Sequence, residues 1–214
     1  MKRPLALALA ALASPALASP ALAHPHVWVT AKAEIVYGAD GNVAGVRHQW
    51  TFDPAYSAYV TQGLDTNGDG KLDPDELQEL AKVNAESLVE FDYFTVLKVN
   101  GTKQAFDVPR DYGMSMDKEQ VTLSLMLPLK GPVRGKTLSL EVYDPTFFVS
   151  FGLAEGEDAV TLAGAPKGCA ATVTRPKPLD ASQQQKLSET FFEALTSAST
   201  FGSNFANRAI VACP

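Results

Sequence analysis

The chain has 214 residues, of which 46% are hydrophobic and 20% charged, with a formal net charge of −6. That apolar content suffices for one domain core or two small ones. An acidic chain with no basic cluster argues against nucleic acid or anionic lipid as a partner.

Residues 1–23 read as a secretory signal peptide. Lys2-Arg3 precede an Ala/Leu run, and Ala21-Leu22-Ala23 has the small-residue pattern of a cleavage site. The run is too short and too Ala-rich for a stable membrane span, and no later stretch is apolar enough for one. The expected product is a periplasmic protein of residues 24–214, one β-rich domain without a membrane span in the mature chain. Cleavage after Ala23 would leave His24-Pro25-His26 at the amino terminus. The amine and ring of His24, with the imidazole of His26, form a candidate Cu(II), Ni(II) or Zn(II) site. Pro25 has no N–H, which excludes any site that needs that amide as a ligand. The competing reading is a terminus whose histidines bind nothing.

Val27–Tyr37 is rich in β-branched and aromatic residues and reads as a strand. A turn at 38–42 returns the chain as a second strand, Val43–Phe52. His48 lies on it, and a simple hairpin pairs it near Lys32, roughly 20 Å from His26. It is therefore expected to be a partly buried or surface histidine, apart from the other two.

Asp53-Pro54 opens a helix expected over 53–64, and Asp73-Pro74 opens another over 74–90. Between them runs DTNGDGKLDPDE, residues 65–76. Asp65, Asn67 and Asp69 alternate, Gly70 follows, and Glu76 closes the loop. This is the complete pattern of an EF-hand calcium loop. Calcium is a hard cation that takes six to eight oxygen ligands. Here they would be Asp65, Asn67, Asp69, the Lys71 carbonyl, Asp73 (often through water) and Glu76 in bidentate form. Asp73 and Glu76 also have the spacing of a capping box. The whole unit forms an insertion at about 53–91. The bland alternative is an acidic turn that binds nothing.

Beyond it, Tyr93–Val99 and Lys103–Val108 flank Asn100-Gly101, a strong hairpin signal. Val121–Leu127 and Thr137–Tyr143 alternate apolar and polar residues, as half-buried antiparallel strands do. Asp144-Pro145 breaks the chain, and Thr146–Leu153 resumes as strand. Val160–Ala163, Cys169–Thr174 and Arg208–Cys213 are further short strands. A helix from about 180 to 197 carries an apolar stripe of Leu187, Phe191, Phe192 and Leu195. Cys169 and Cys213 pair as a disulfide if the compartment is oxidising; free thiols or a soft-metal pair are the alternative.

The segments HPHVWV, WTFDPAYS, FDYFT and VYDPTFFVSF together resemble one bacterial family of exported proteins. That family is described as the periplasmic component of an uncharacterised ABC-type transport system. The resemblance covers most of residues 24–175. It implies a periplasmic role beside a membrane transporter or another envelope partner and brings no defined chemistry. The chain lacks the two-lobed pattern of a solute-binding protein. Tyr143–Phe148 could line a ligand or partner site through its aromatics, or be a tight turn between core strands.

The expected fold is mainly β with α: an antiparallel sandwich-like body, an inserted EF-hand helix-loop-helix and a C-terminal helix. No nucleophile–base pair, phosphate loop or CxxC motif stands out, so no enzyme is expected. The expected function is calcium binding in service of a transporter or envelope partner. The alternative is a transition-metal carrier acting through His24 and His26.

Overall fold

The computed structural model describes residues 25–176 and 201–214. Strand β1 (Val27–Tyr37) buries every second residue, from Val27 to Tyr37. It turns through Asp40, whose carboxylate accepts from the Asn42 amide, and Gly41 at φ +75. It then returns as β2 (Val43–Phe52). Both boundaries agree with the hydrophobic alternation. The register places His48 opposite Ala33, one residue from the expected Lys32.

Two sheets follow from the remaining strands. The first adds β5 (Arg110–Asp117), β6 (Gln120–Val133), β8 (Val149–Leu153) and β9 (Val160–Ala163). Its order is β5-β6-β2-β1-β8, with β9 also on β1. The second runs β10-β11-β7-β3-β4, from β3 (Thr95–Val99), β4 (Thr102–Lys103), β7 (Thr137–Val142), β10 (Ala170–Thr174) and β11 (Asn207–Ala212).

The second sheet is antiparallel throughout, as expected. The first is not. β8 and β9 run parallel to β1 along one edge, β8 against residues 27–31 and β9 against 33–36. Alternation reveals which face of a strand is buried and is silent on the direction of its neighbour. The hairpin at Asn100-Gly101 forms, but its second arm is two residues long. Phe106 instead bridges to Leu129, in the other sheet.

The inner faces share one core. Ile35, Val46, Leu125 and Leu127 of the first sheet lie in the same buried cluster as Leu97, Leu138, Leu140 and Val211 of the second. Burial of each such side chain stabilises the fold by about 1.5–3 kcal/mol. Close packing also fixes Gly45: a Cβ there would lie 2.2 Å from the Leu127 carbonyl oxygen. Cys169 and Cys213 form a disulfide at the end of the β10–β11 ladder, where Ala170 pairs with Ala212.

Helix α1 (Pro54–Val60) lies against β6, and α2 (Pro74–Ser87) lies against β5. The buried stripe of α2 is Leu77, Ala81 and Ala85, at helical spacing. Ser57 of α1 is buried; its hydroxyl accepts from the Val121 amide (3.0 Å) and donates to the Phe52 carbonyl (3.4 Å). The helix expected at 180–197 and the signal segment 1–23 lie outside the described residues. Among the described residues no helix is long and apolar enough to cross a membrane.

Candidate functional site

Residues 65–76 connect two capped helices. Asp53 Oδ1 accepts from the amides of Ala55 and Tyr56, each at 3.0 Å, and Asp73 Oδ1 from those of Asp75 (3.0 Å) and Glu76 (3.2 Å). Glu76 answers through Oε2, which accepts from the Asp73 amide at 3.2 Å and completes the capping box. The entering helix is shorter than the expected 53–64. It ends at Val60, the Thr61 hydroxyl donates back to the Ser57 carbonyl, and Gly63 turns the chain at φ +76.

The loop is organised by its own acidic side chains. Asp65 Oδ1 accepts from Gly68 N (2.7 Å) and Asp69 N (3.2 Å), and Asp65 Oδ2 from Gly70 N (3.0 Å). Asn67 Oδ1 accepts from Asp69 N, and Asp69 Oδ1 from Lys71 N, both at 2.8 Å. Gly68 and Gly70 take φ +74 and +79, values that favour glycine. Glu76 Oε1 reaches back across the loop to the Thr66 amide (2.8 Å) and hydroxyl (3.0 Å). The Thr66 amide bond is the main reason its carboxyl titrates below the usual range, with desolvation opposing. The predicted calcium ligands therefore lie on one short loop with their carboxylates on its amides. Among the described residues no three His, Cys, Asp or Glu side chains form a metal-ligand group.

The histidines separate. His24 lies outside the described residues. The His26 amide donates to the Phe148 carbonyl (2.9 Å), and its ring lies 4.9 Å from that of Phe148. His48 is fully buried, which corrects the expectation of partial exposure. It sits between the sheets, with Nε2 3.1 Å from Thr95 Oγ1. The Thr95 hydroxyl gives its proton to the Tyr93 carbonyl at 2.7 Å, so it accepts from His48 Nε2–H. Burial pushes the His48 pKa down to about 3, with the Lys32 backbone partly opposing. Among the described residues, Nδ1 of His48 and Nε1 of the neighbouring Trp50 are buried without a hydrogen-bond partner.

The strand expected from Thr146 begins only at Val149, because Asp144 organises a turn. Its Oδ1 accepts from the amide and hydroxyl of Thr146, both at 2.8 Å, and its Oδ2 from the Val149 amide at 2.9 Å. This turn forms one rim of an apolar pocket of about 400 Å³ between the helical insertion and the first sheet. The opposite wall includes Phe91 and Phe94, stacked at 5.2 Å. Reading the sequence misses this wall. It depends on Asp92, Tyr93 and Phe94 adopting φ of 49, 53 and 48 in succession. Asp92 is a type that tolerates the left-handed region, but Tyr93 and Phe94 are not, so the residue types do not announce a turn of three such residues, which costs roughly 1–2 kcal/mol per residue.

Comparison with known proteins places the chain among uncharacterized relatives. It is 32% identical over 114 residues to an uncharacterized 15.5 kDa protein in the trpE 3′ region of Spirochaeta aurantia, across 52% of this chain and 81% of that protein. It is 25% identical over 191 residues to an uncharacterized protein of Haemophilus influenzae, across 88% of this chain and 90% of the relative. The family described as protein of unknown function, DUF1007, matches residues 8–213, and the chain belongs to that family.

Proposed function

We propose that the protein is a non-catalytic, exported calcium-binding protein that serves a membrane transporter or another partner in the cell envelope. The observation that carries this reading is the 65–76 loop. It supplies oxygen donors at every position the motif needs, and its backbone is shaped by Asp65 accepting from Gly68, Asp69 and Gly70. An all-oxygen set suits a hard cation and is poor for soft metals. Calcium competes with the loop amides for Asp65, Asn67, Asp69 and Glu76. Glu76 and the Lys71 carbonyl would complete the oxygen set, with Asp73 contributing through water while it caps α2. A single loop of this kind acts as a structural clamp on the α1–α2 pair, which calcium stabilises by binding the folded form.

The export and transporter elements rest on the signal-like residues 1–23 and on the resemblance to a periplasmic transport component. The Cys169–Cys213 disulfide agrees with an oxidising compartment.

The test is calorimetric titration of the processed, metal-stripped protein with Ca²⁺, and separately with Cu(II), Ni(II) and Zn(II). Saturable one-site calcium binding is expected. Absence of calcium binding, together with transition-metal binding that disappears when one residue is added before His24, would replace this reading with a carrier acting through His24 and His26.

A further inference from the structure

The pocket beside the helical insertion has a specific chemistry. Trp50 and Phe52 of β2 and Phe151 of β8 line it from the first sheet. Tyr56 of α1 and the Phe91–Phe94 pair line it from the insertion, and Phe148 stands at the rim with 47% of its surface exposed. The rings are mutually braced: Trp50 meets Phe151 edge-on at 5.1 Å, and Phe94 lies 5.3 Å from Phe151.

Among the described lining residues Asp144 is the only charged one. It is 4% exposed, and no Lys or Arg among the described residues forms an ion pair with it. Its three side-chain hydrogen bonds among the described residues come from Thr146 and Val149, so within that set the carboxylate is met by neutral dipoles. An acid in an apolar, ring-lined wall attracts positive charge and repels anions with little screening. Aromatic faces add attraction of the same sign.

These features select the cation. A primary ammonium carries three N–H donors that each require an acceptor. Beside Asp144 the wall has four polar side chains, Tyr56, Asn84, Ser87 and Thr146, so its acceptor oxygens are few against its many ring faces. A quaternary ammonium has no N–H to satisfy and presents methyl groups to the rings. The volume is at the lower end of the range for small-molecule pockets.

We propose that this pocket binds a quaternary ammonium compound, with its alkylated nitrogen among the aromatic rings and facing the Asp144 charge. The site is independent of the calcium loop, so failure of either reading leaves the other standing.

The test uses the full processed protein and two probes of equal shape: choline, and its neutral isostere 3,3-dimethylbutan-1-ol. Affinity is read by calorimetry and by the fluorescence of the tryptophans. Choline is expected to bind at least tenfold more tightly than the alcohol. Phe148→Ala, at a half-exposed rim position, is expected to weaken choline at least fivefold. Asp144→Asn should bring the two probes to similar affinity. Should that variant fail to fold, the wild-type comparison and Phe148→Ala decide the matter. Equal affinities in the wild-type protein, no binding of either probe, or choline binding unchanged by Phe148→Ala would each overturn the proposal.

Discussion

The helical insertion and the two-sheet body are held by different kinds of interaction. In the loop 65–76 the acidic side chains are exposed or, at Asp65 and Glu76, half-buried, and their partners lie between two and ten residues away. In the body, His48 meets Thr95 across 47 residues, and Asn207 ties its carboxamide to β8, accepting from the Leu153 amide at 3.1 Å. Local hydrogen bonds among exposed groups contribute little net stability and exchange readily with a competing ligand. Buried long-range contacts cannot be exchanged without leaving polar atoms unsatisfied. The loop can therefore exchange its hydrogen bonds while the body stays fixed.

Acid should break the body first. The folded-state pKa of His48 is depressed to about 3, from an ordinary 6.5. Its stability contribution is complete above about pH 6.5. It is lost as pH falls towards 3, because only the unfolded chain takes up the proton. The loss is about 1.4 kcal/mol per pH unit, or about 5 kcal/mol across the window. Denaturant unfolding at pH 6, 5 and 4 measures the slope. His48→Gln removes this titration and should flatten the slope by about one proton, with calcium affinity at pH 7 unchanged. Identical slopes would show that His48 is accessible to protons.

Reduction of the Cys169–Cys213 disulfide is next in size. The bridge closes a separation of 44 residues, and chain entropy puts its contribution at about 4 kcal/mol. Cys169→Ala with Cys213→Ala should lower the unfolding free energy by a similar amount and leave the calcium isotherm in place. A change in calcium affinity would mean that loop and body are coupled more strongly than their separate hydrogen-bond networks indicate.

Asp65→Ala tests the loop from the other side. It removes one proposed ligand and the acceptor for three loop amides, so calcium affinity should fall on the order of 100-fold. Without calcium its thermal midpoint should stay within a few degrees of the wild-type value, because the half-buried Asp65 side chain makes only local hydrogen bonds within the loop. Unchanged affinity would remove the loop from the calcium reading.

The same division explains what the sequence reveals. The paired caps Asp53 and Asp73, the capping box to Glu76 and the glycines at 68 and 70 act over a few residues, so spacing alone locates them. The β1–β2 hairpin is equally plain from alternation and its turn. Arg110–Asp117 is not: Asp111, Gly113 and Ser115 hide an edge strand that exists because β6 offers it a partner. The parallel seating of β8 and β9 on β1, the left-handed turn at 92–94 and the burial of His48 and Asp144 all depend on distant chain. Asp144-Pro145 reads as a turn, yet nothing nearby shows that it is sealed from behind. Gly202 lies there, where a Cβ would sit 1.8 Å from the Asp144 carbonyl oxygen.

Asp53 gives the smallest and most discriminating test, because it belongs to both regions. Its Oδ1 caps α1, while its Oδ2 accepts from the Trp28 amide of β1 at 2.9 Å. Asp53→Ala removes the helix cap and an acceptor from the first strand, at a cost of about 1–2 kcal/mol. Asp53→Asn keeps an oxygen for one of these tasks and should recover about half of that loss. Asp53 is not a calcium ligand in the proposed set, so its replacement reaches the ion only through the placement of α1. If the clamp is local, calcium affinity changes less than threefold in Asp53→Ala, and the stabilisation by saturating calcium is as large as in the wild type. If α1 must be fixed to the sheet for the loop to close on the ion, affinity falls tenfold or more. The helical insertion and the sheet then act as one cooperative unit, and the contrast between the two regions fails at Asp53.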